Sequence, residues 1–265
     1  MRCRGKKGVA VQYATALFLI LILNFFLPRM MPGDPFLILS ADSENEVISV
    51  LTEEQRQYFI SYYGLDRPIY EQFASYIFSV SRGDLGESIY YKVPVWEAIW
   101  TRLPWTALIV LGATIMSTIA GVLLGLFSAR RRDRPADKML MAGLISFAEI
   151  PSFLLGLVIL LAFSVKLKAF PLAGAITPFA HYSHPLDAIW DIGYHAVLPM
   201  ITLSLTQLTG IFLLTRDTLV TVMTRDYIRT ARAKGIGERL VWNRHALRNA
   251  LLPVVTRVGF MIGML

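Results

Sequence analysis

Cysteine is almost absent: Cys3 is the only one among 265 residues. A single thiol excludes an intrachain disulfide framework and a cysteine metal cluster, and its place in a basic N-terminal tail reads as a free thiol. Charge is scarce as well. Asp, Glu, Lys and Arg make up 17% of the chain, where a soluble domain carries about 25%. Hydrophobic residues reach 55% and the mean hydropathy is +0.52. These proportions exclude a disordered chain, which is poor in apolar residues and rich in charge. Glycine and proline recur without a fixed period, which excludes a collagen-like repeat. No Gly-x-x-x-x-Gly-Lys-Ser/Thr loop, Gly-x-Ser-x-Gly elbow or His-Glu-x-x-His helix occurs. The chain therefore lacks the common signatures of nucleotide hydrolysis and of hydrolases. An all-α integral membrane protein is the class that remains.

Long apolar runs support it. A bilayer core needs about 20 residues of apolar helix. Gly8–Pro28 and Leu103–Ala129 carry no charge, Met139–Val165 carries only Glu149, and Ile192–Thr215 has His195 as its one ionisable group. A fifth apolar run begins near Ala250 and is incomplete where the sequence ends at Leu265. The first run is longer than a signal-peptide core and has no small-x-small cleavage site after it, so it reads as an uncleaved span. Five apparent spans make a polytopic helical bundle.

The formal net charge of +7 could suggest nucleic acid, but its distribution has a simpler cause. Basic residues gather in the N-terminal tail, in the turn from Arg130 to Lys138, and in the segment from Arg216 to Arg248. All three fall on one side if each run is a span. By the positive-inside rule that side is the cytoplasm, which also holds the N-terminus. The organisation is then a tail and first span (1–28), an extracytoplasmic helical segment (29–102), and a core (103–265) whose cytoplasmic loop covers 216–252. Within 29–102, Met31-Pro-Gly-Asp-Pro35 is turn chemistry. Thr52-Glu-Glu can open one helix. Pro68 opens another, with Ile69, Phe73, Tyr76, Ile77 and Val80 at helical spacing as a packing or membrane-interface stripe.

The loop 216–252 is the most informative stretch. Tyr227–Lys234 has helix formers with alternating arginine, and Gly235 and Gly237 stop it. Glu238–Leu252 reads as a second helix feeding the fifth run, with Pro253 at the junction. Two short helices meeting at a glycine form a compact protrusion that another protein can approach closely. The competing reading is a solvated basic loop that only fixes topology.

This loop resembles the cytoplasmic signature of binding-protein-dependent ABC transporter permeases, in the dipeptide, oligopeptide and nickel branch. The carrying residues are Tyr-Ile-Arg-Thr-Ala-Arg-Ala-Lys-Gly235 and His-Ala-Leu-Arg-Asn-Ala-Leu-Leu-Pro253. Arg229, Thr230 and Ala231 stand in the slots of the Glu-Ala-Ala turn, so its acidic first position is missing. Further landmarks follow in order: Pro32-Gly-Asp-Pro35, Gly64-Leu-Asp-Arg-Pro68, Gly83-Asp-Leu-Gly86, Arg102-Leu-Pro104, Ala129-Arg-Arg131, Pro151-Ser-Phe153 and His195-Ala-Val-Leu-Pro199. The resemblance implies a type I ABC importer permease in a bacterial or archaeal cell membrane, with no enzymatic step and no cofactor of its own. ATP and Mg would sit on two partner ATPase subunits. A second homologous permease subunit, an extracytoplasmic substrate-binding protein and membrane lipid complete the implied partners, and nucleic acid is not among them. It also implies that Tyr227, Arg229, Ala231, Arg232, Ala233, Lys234 and Gly235 couple to the ATPase. Peptide and nickel cargo both stay open. An ATP-independent carrier or channel is the alternative class, disfavoured by the loop and by the lack of an inverted repeat.

Within the runs, Glu149 is the one intramembrane carboxylate, two residues before Pro151. Such acids are costly and mark either a pathway or a buried pair. By the resemblance a small polar residue is usual there. Glu149 is expected to face the translocation path and attract a cationic group, or else to be a paired structural acid. Pro151 is expected to kink the helix and bare carbonyls to the same path. Gly121-x-x-x-Gly125 and Gly259-x-x-x-Gly263 allow close helix approach, including to a second subunit. His181 and His184 lack a third metal ligand. Arg257 is expected to snorkel to the cytoplasmic surface.

Overall fold

The computed structural model describes residues 6–30, 64–88, 91 and 93–263, with 54, 57, 60 and 61 described singly. The turn expected at Met31–Pro35 lies outside the described residues, as does most of the helix expected from Thr52. The chain divides into two compact units, 1–101 and 102–265.

In the first unit, α1 (Lys6–Met30) is apolar on every side, the pattern of a helix surrounded by lipid. Among its described side chains only Phe25 is buried. The reason is α2 (Ile69–Ser81), whose Phe73 and Tyr76 rings lie 5.1 and 5.5 Å from the Phe25 ring. The expected stripe is thus a packing surface. Arg29 caps the contact: its guanidinium stacks 3.7 Å from the centre of the Phe25 ring and donates to Gln72 Oε1 at 3.1–3.2 Å. Gly83 and Gly86, both left-handed (φ 79° and 74°), end α2, and Asp84 Oδ1 accepts the Gly86 N–H between them.

In the second unit, α3 (Val95–Arg130, which starts in the first) leads through an Arg-rich turn to α4 (Pro135–Ala148). Next come α5 (Ser152–Leu160), a π-type turn (Leu161–Lys166) and the long α6 (Pro185–Val222). α7 (Asp226–Ala233) is short. α8 (Glu238–Leu240) widens into a second π-type turn (Val241–Ala246) and continues as α9 (Leu247–Gly263). The only strand-like feature among the described residues is an isolated bridge, Glu87 to Pro94.

α6 is the spine of this unit. On α3, Gly121 and Gly125 let Ile211, Phe212 and Thr215 of α6 come so close that a Cβ on either glycine would stand 2.8 Å from a side-chain carbon. The first glycine pair is therefore spent inside the chain, while Gly259 and Gly263 face open space. Leu155 and Ile159 of α5 pack on Leu198 of α6. Thr209 Oγ1 donates to the Leu144 carbonyl of α4 at 2.9 Å.

The helices differ from the sequence expectation at three places. Met139–Val165 is no continuous span: α4 and α5 meet at 95° across Glu149-Ile150-Pro151. Pro151 has no N–H to continue the α4 ladder, and its extended ψ of 136° starts α5 in a new direction. Pro253 marks no junction; it stands inside α9, and helix runs unbroken from Glu238 to Gly263. Five spans are not seen either. Among the described residues three helices are long and apolar enough to cross a membrane, or four if the bent pair is one span. The fifth run lies in the 17-residue α9, which is not among them.

Candidate functional site

The loop singled out by sequence folds as an anchored amphipathic helix. Arg225, extended at ψ 148°, separates α6 from α7. Ile228 and Ala231, three residues apart, occupy one side of α7 and are 0% and 5% exposed. They pack on Ala129 of α3, Leu219 and Val222 of α6, Val241 and Ala246 of the π-type turn, and Ala250 of α9. One small helix thereby shares a core with the ends of α3, α6 and α9. Tyr227, Arg229, Arg232, Ala233, Lys234 and Gly235 lie on the exposed surface. Ala231 does not: it is buried in the core beneath that surface.

The turn after α7 is held in shape by two devices. Gly235 adopts φ 75°, which a residue with a side chain rarely enters. Across it, Arg232 Nε meets Glu238 Oε1 at 2.6 Å and Nη2 meets Oε2 at 3.2 Å. That guanidinium holds the Glu238 carboxyl below the usual carboxylate range. Asn249 of α9 donates to the Tyr227 hydroxyl at 3.3 Å, and Arg130 at the end of α3 donates to Asn243 at 2.7 Å.

Beneath this surface lies a cluster that the sequence did not reveal. Asp137 in the first turn of α4 is 1% exposed. Its carboxylate receives Arg216 of α6 through two parallel bonds, Nε to Oδ1 at 2.8 Å and Nη2 to Oδ2 at 2.7 Å. The Ser128 hydroxyl of α3 and the Asp133 N–H donate to the same group. The ends of α3, α4 and α6 are tied at one carboxylate. Sorting charges by loop placed Asp137 and Arg216 on the surface. The available signal was an acid, Asp137, among five cations in a short turn, opposite an arginine that directly follows an uncharged run.

Glu149 and Pro151 sit at the corner between α4 and α5. Both are exposed in the isolated chain, and the Glu149 carboxylate makes no hydrogen bond or ion pair with any described residue. The buried-pair alternative is not realised among the described residues. Higher on α3, Ser117 and Thr114 place their hydroxyls 3.2 and 3.5 Å from Gln207 Oε1 of α6.

At the other end of α6, Asp191 accepts the backbone and side chain of Thr177 at 2.7 and 2.6 Å and the Tyr182 hydroxyl at 2.7 Å. This clips the 167–184 loop to the helix. His184 starts α6, where Asp187 Oδ2 accepts its backbone N–H at 3.2 Å. No group of three metal-capable side chains forms among the described residues.

Residues 121–265 match the family described as binding-protein-dependent transport system inner membrane component. The chain belongs to this family. Among similar curated proteins is the oligopeptide transport system permease protein AppB of Bacillus subtilis (strain 168), 36% identical over 244 residues, covering 92% of this chain and 73% of that protein. The glutathione transport system permease protein GsiC of Escherichia coli O6:H1 is 34% identical over 250 residues, covering 94% and 74%. The dipeptide transport system permease protein DppB of Escherichia coli (strain K12) is 33% identical over 262 residues, covering 93% and 76%. The protein is thus a multi-pass inner-membrane permease, the non-enzymatic membrane component of its transport system. Membership in a binding-protein-dependent system implies substrate-binding and ATPase partners.

Proposed function

We propose that this permease forms half of the translocation path of an ABC importer for di- and oligopeptides or close peptide derivatives, with its N-terminus in the cytoplasm. A second permease subunit supplies the other half. One of two separate ATPase subunits binds at the α7 surface, and an extracytoplasmic binding protein delivers the cargo. The observation that carries this reading is the seating of α7. Its apolar side is fixed in a core shared by α3, α6 and α9, while Tyr227, Arg229 and Lys234 are left outward. A push on that surface is passed to three long helices at once, because a close-packed core transmits displacement instead of absorbing it. The three relatives named above support the peptide class.

The test uses side chains that do not hold the fold. Arg229 has only a 3.6 Å contact to the exposed Asp226, and Lys234 is exposed. Reversing both, as Arg229→Glu with Lys234→Glu, leaves melting of the purified permease within about 0.5 kcal/mol of wild type. Co-purification of the ATPase subunits and ATP-driven uptake are expected to fall at least about tenfold, from the loss of one or more charge-assisted contacts. Full co-purification with undiminished uptake would remove α7 from the coupling role.

Glu149 at the α4–α5 corner is the residue we assign to the path. An unpaired carboxylate between two apolar helices is tolerated where water or a cationic group reaches it. Glu149→Ser is expected to lower uptake of lysine-containing dipeptides several-fold more than that of dialanine. Equal rates for both cargoes in the variant and the wild type would sink the assignment.

A further inference from the structure

The apolar run from Ala250 holds a cation with no counterpart among the described residues. Arg257 stands in α9 inside an otherwise uncharged run, and its guanidinium makes no hydrogen bond or ion pair with any described residue. Its side chain is exposed in the isolated chain. It lies across α6 against Gly210, six residues before Arg216, or about 9 Å along the helix axis. A Cβ at 210 would stand 2.9 Å from the guanidinium carbon, so a side chain there would displace the guanidinium from its place. One turn away on α6, Gln207 keeps its Oε1 toward Ser117 and Thr114, and its amino group donates to no described residue.

A snorkelled arginine would reach the headgroups along its own helix. An arginine held sideways in a notch, below an amide with unused donors, is instead arranged to receive an anion. Ionisable groups at such depth are expensive and persist where they face a partner or a water-filled cavity. We infer that Arg257, held by Gly210 and assisted by Gln207, is a carboxylate-binding station on the translocation path that receives the free C-terminal carboxylate of a peptide cargo. A guanidinium suits this task because its planar fork matches the two carboxylate oxygens. The inference rests on the peptide reading above and adds a second pole to it: Glu149 takes the cationic end and Arg257 the anionic end.

The experiment compares uptake of one dipeptide with a free C-terminus and of the same dipeptide as its C-terminal amide. It uses the complete importer, in cells lacking other peptide permeases. Delivery by the binding protein is unchanged between permease variants, so the free-to-amide ratio relative to wild type isolates the permease. Arg257→Gln is expected to lower uptake of the free form about tenfold, the loss of one charge-assisted hydrogen bond, and to leave the amide within about twofold. Arg257→Lys, which keeps the charge, retains most of the preference. Gly210→Ala keeps the arginine but fills its notch, and it lowers the ratio in the same direction. If Arg257→Gln slows both forms equally, or neither, the station is overturned while the peptide reading stands. A guanidinium serving lipid phosphate would also give the equal result. If the wild-type importer takes up neither form, the peptide reading fails and the station fails with it.

Discussion

Replacing Asp137 by alanine is expected to destabilise the permease by about 3–5 kcal/mol, the loss seen when one partner of a buried ion pair is removed. The size follows from what stays behind. Arg216 keeps its guanidinium in a site where its side chain is 12% exposed, with Asp217, at 3.1 Å, the only other acid paired with it among the described residues. Asp217 is 68% exposed and well solvated, so it is a poor substitute. The Ser128 hydroxyl and the Asp133 N–H lose their acceptor in the same step. Asp217→Ala, which removes only the exposed contact, is expected to cost less than about 1 kcal/mol. Replacing both charges by apolar residues of similar volume, Asp137→Leu with Arg216→Met, recovers most of the loss because no charge is stranded. Exchanging them, Asp137→Arg with Arg216→Asp, does not, since Ser128 and Asp133 would then aim donors at a cation. Thermal unfolding in detergent reads all four variants. A melting curve for Asp137→Ala that matches Asp217→Ala would show that the cluster carries no such weight.

That cluster also marks where reading from sequence stops. Helices were legible wherever one side or the whole circumference is apolar. Gly8–Pro28 predicts α1, and Ile192–Thr215 predicts the middle of α6. The runs undershoot the helices because hydropathy ends at the first polar residue while the backbone ladder does not. α6 starts at Pro185, where Asp187 closes its first turn, and α3 starts at Val95. Pro151 was visible as a kink, but its 95° size depends on how α5 packs against Leu198, which no local pattern encodes. α7 was legible at both ends, and its buried side could be read from Ile228 and Ala231 at a three-residue spacing. The Asp137–Arg216 pair joins residues 79 apart in the chain, and Arg257 meets Gly210 across two helices. Charge counts by loop treat such residues as equivalent to solvated ones. Only the packing of α3, α4, α6 and α9 separates them.

The same packing makes Gly125→Leu the other severe substitution. On this face of α3, what lies opposite is partly α6 backbone. A Cβ at Gly125 would stand 3.0 Å from the Phe212 carbonyl oxygen and 2.8 Å from Thr215 Cβ. At Gly121 the Phe212 amide nitrogen is 3.1 Å away and Ile211 Cγ2 is 2.8 Å away. A flexible side chain can swing aside, but a helix backbone can yield only by moving the helix. Overpacking of this kind costs about 1–3 kcal/mol where side chains absorb it, and more where they cannot. For Gly125→Leu the expected loss is about 3 kcal/mol or more, because displacing α3 from α6 also pulls Ser117 from Gln207 and Ser128 from Asp137. Gly259→Leu is the control: that glycine meets no described residue of its own chain within 4 Å, so melting of the isolated permease should move by less than about 0.5 kcal/mol. The yield of folded, monodisperse protein after graded heating separates the two. Should Gly125→Leu survive heating as well as Gly259→Leu, the α3–α6 contact is not the close interface that positions the Asp137–Arg216 pair, and the route proposed from α7 into the spans loses its support.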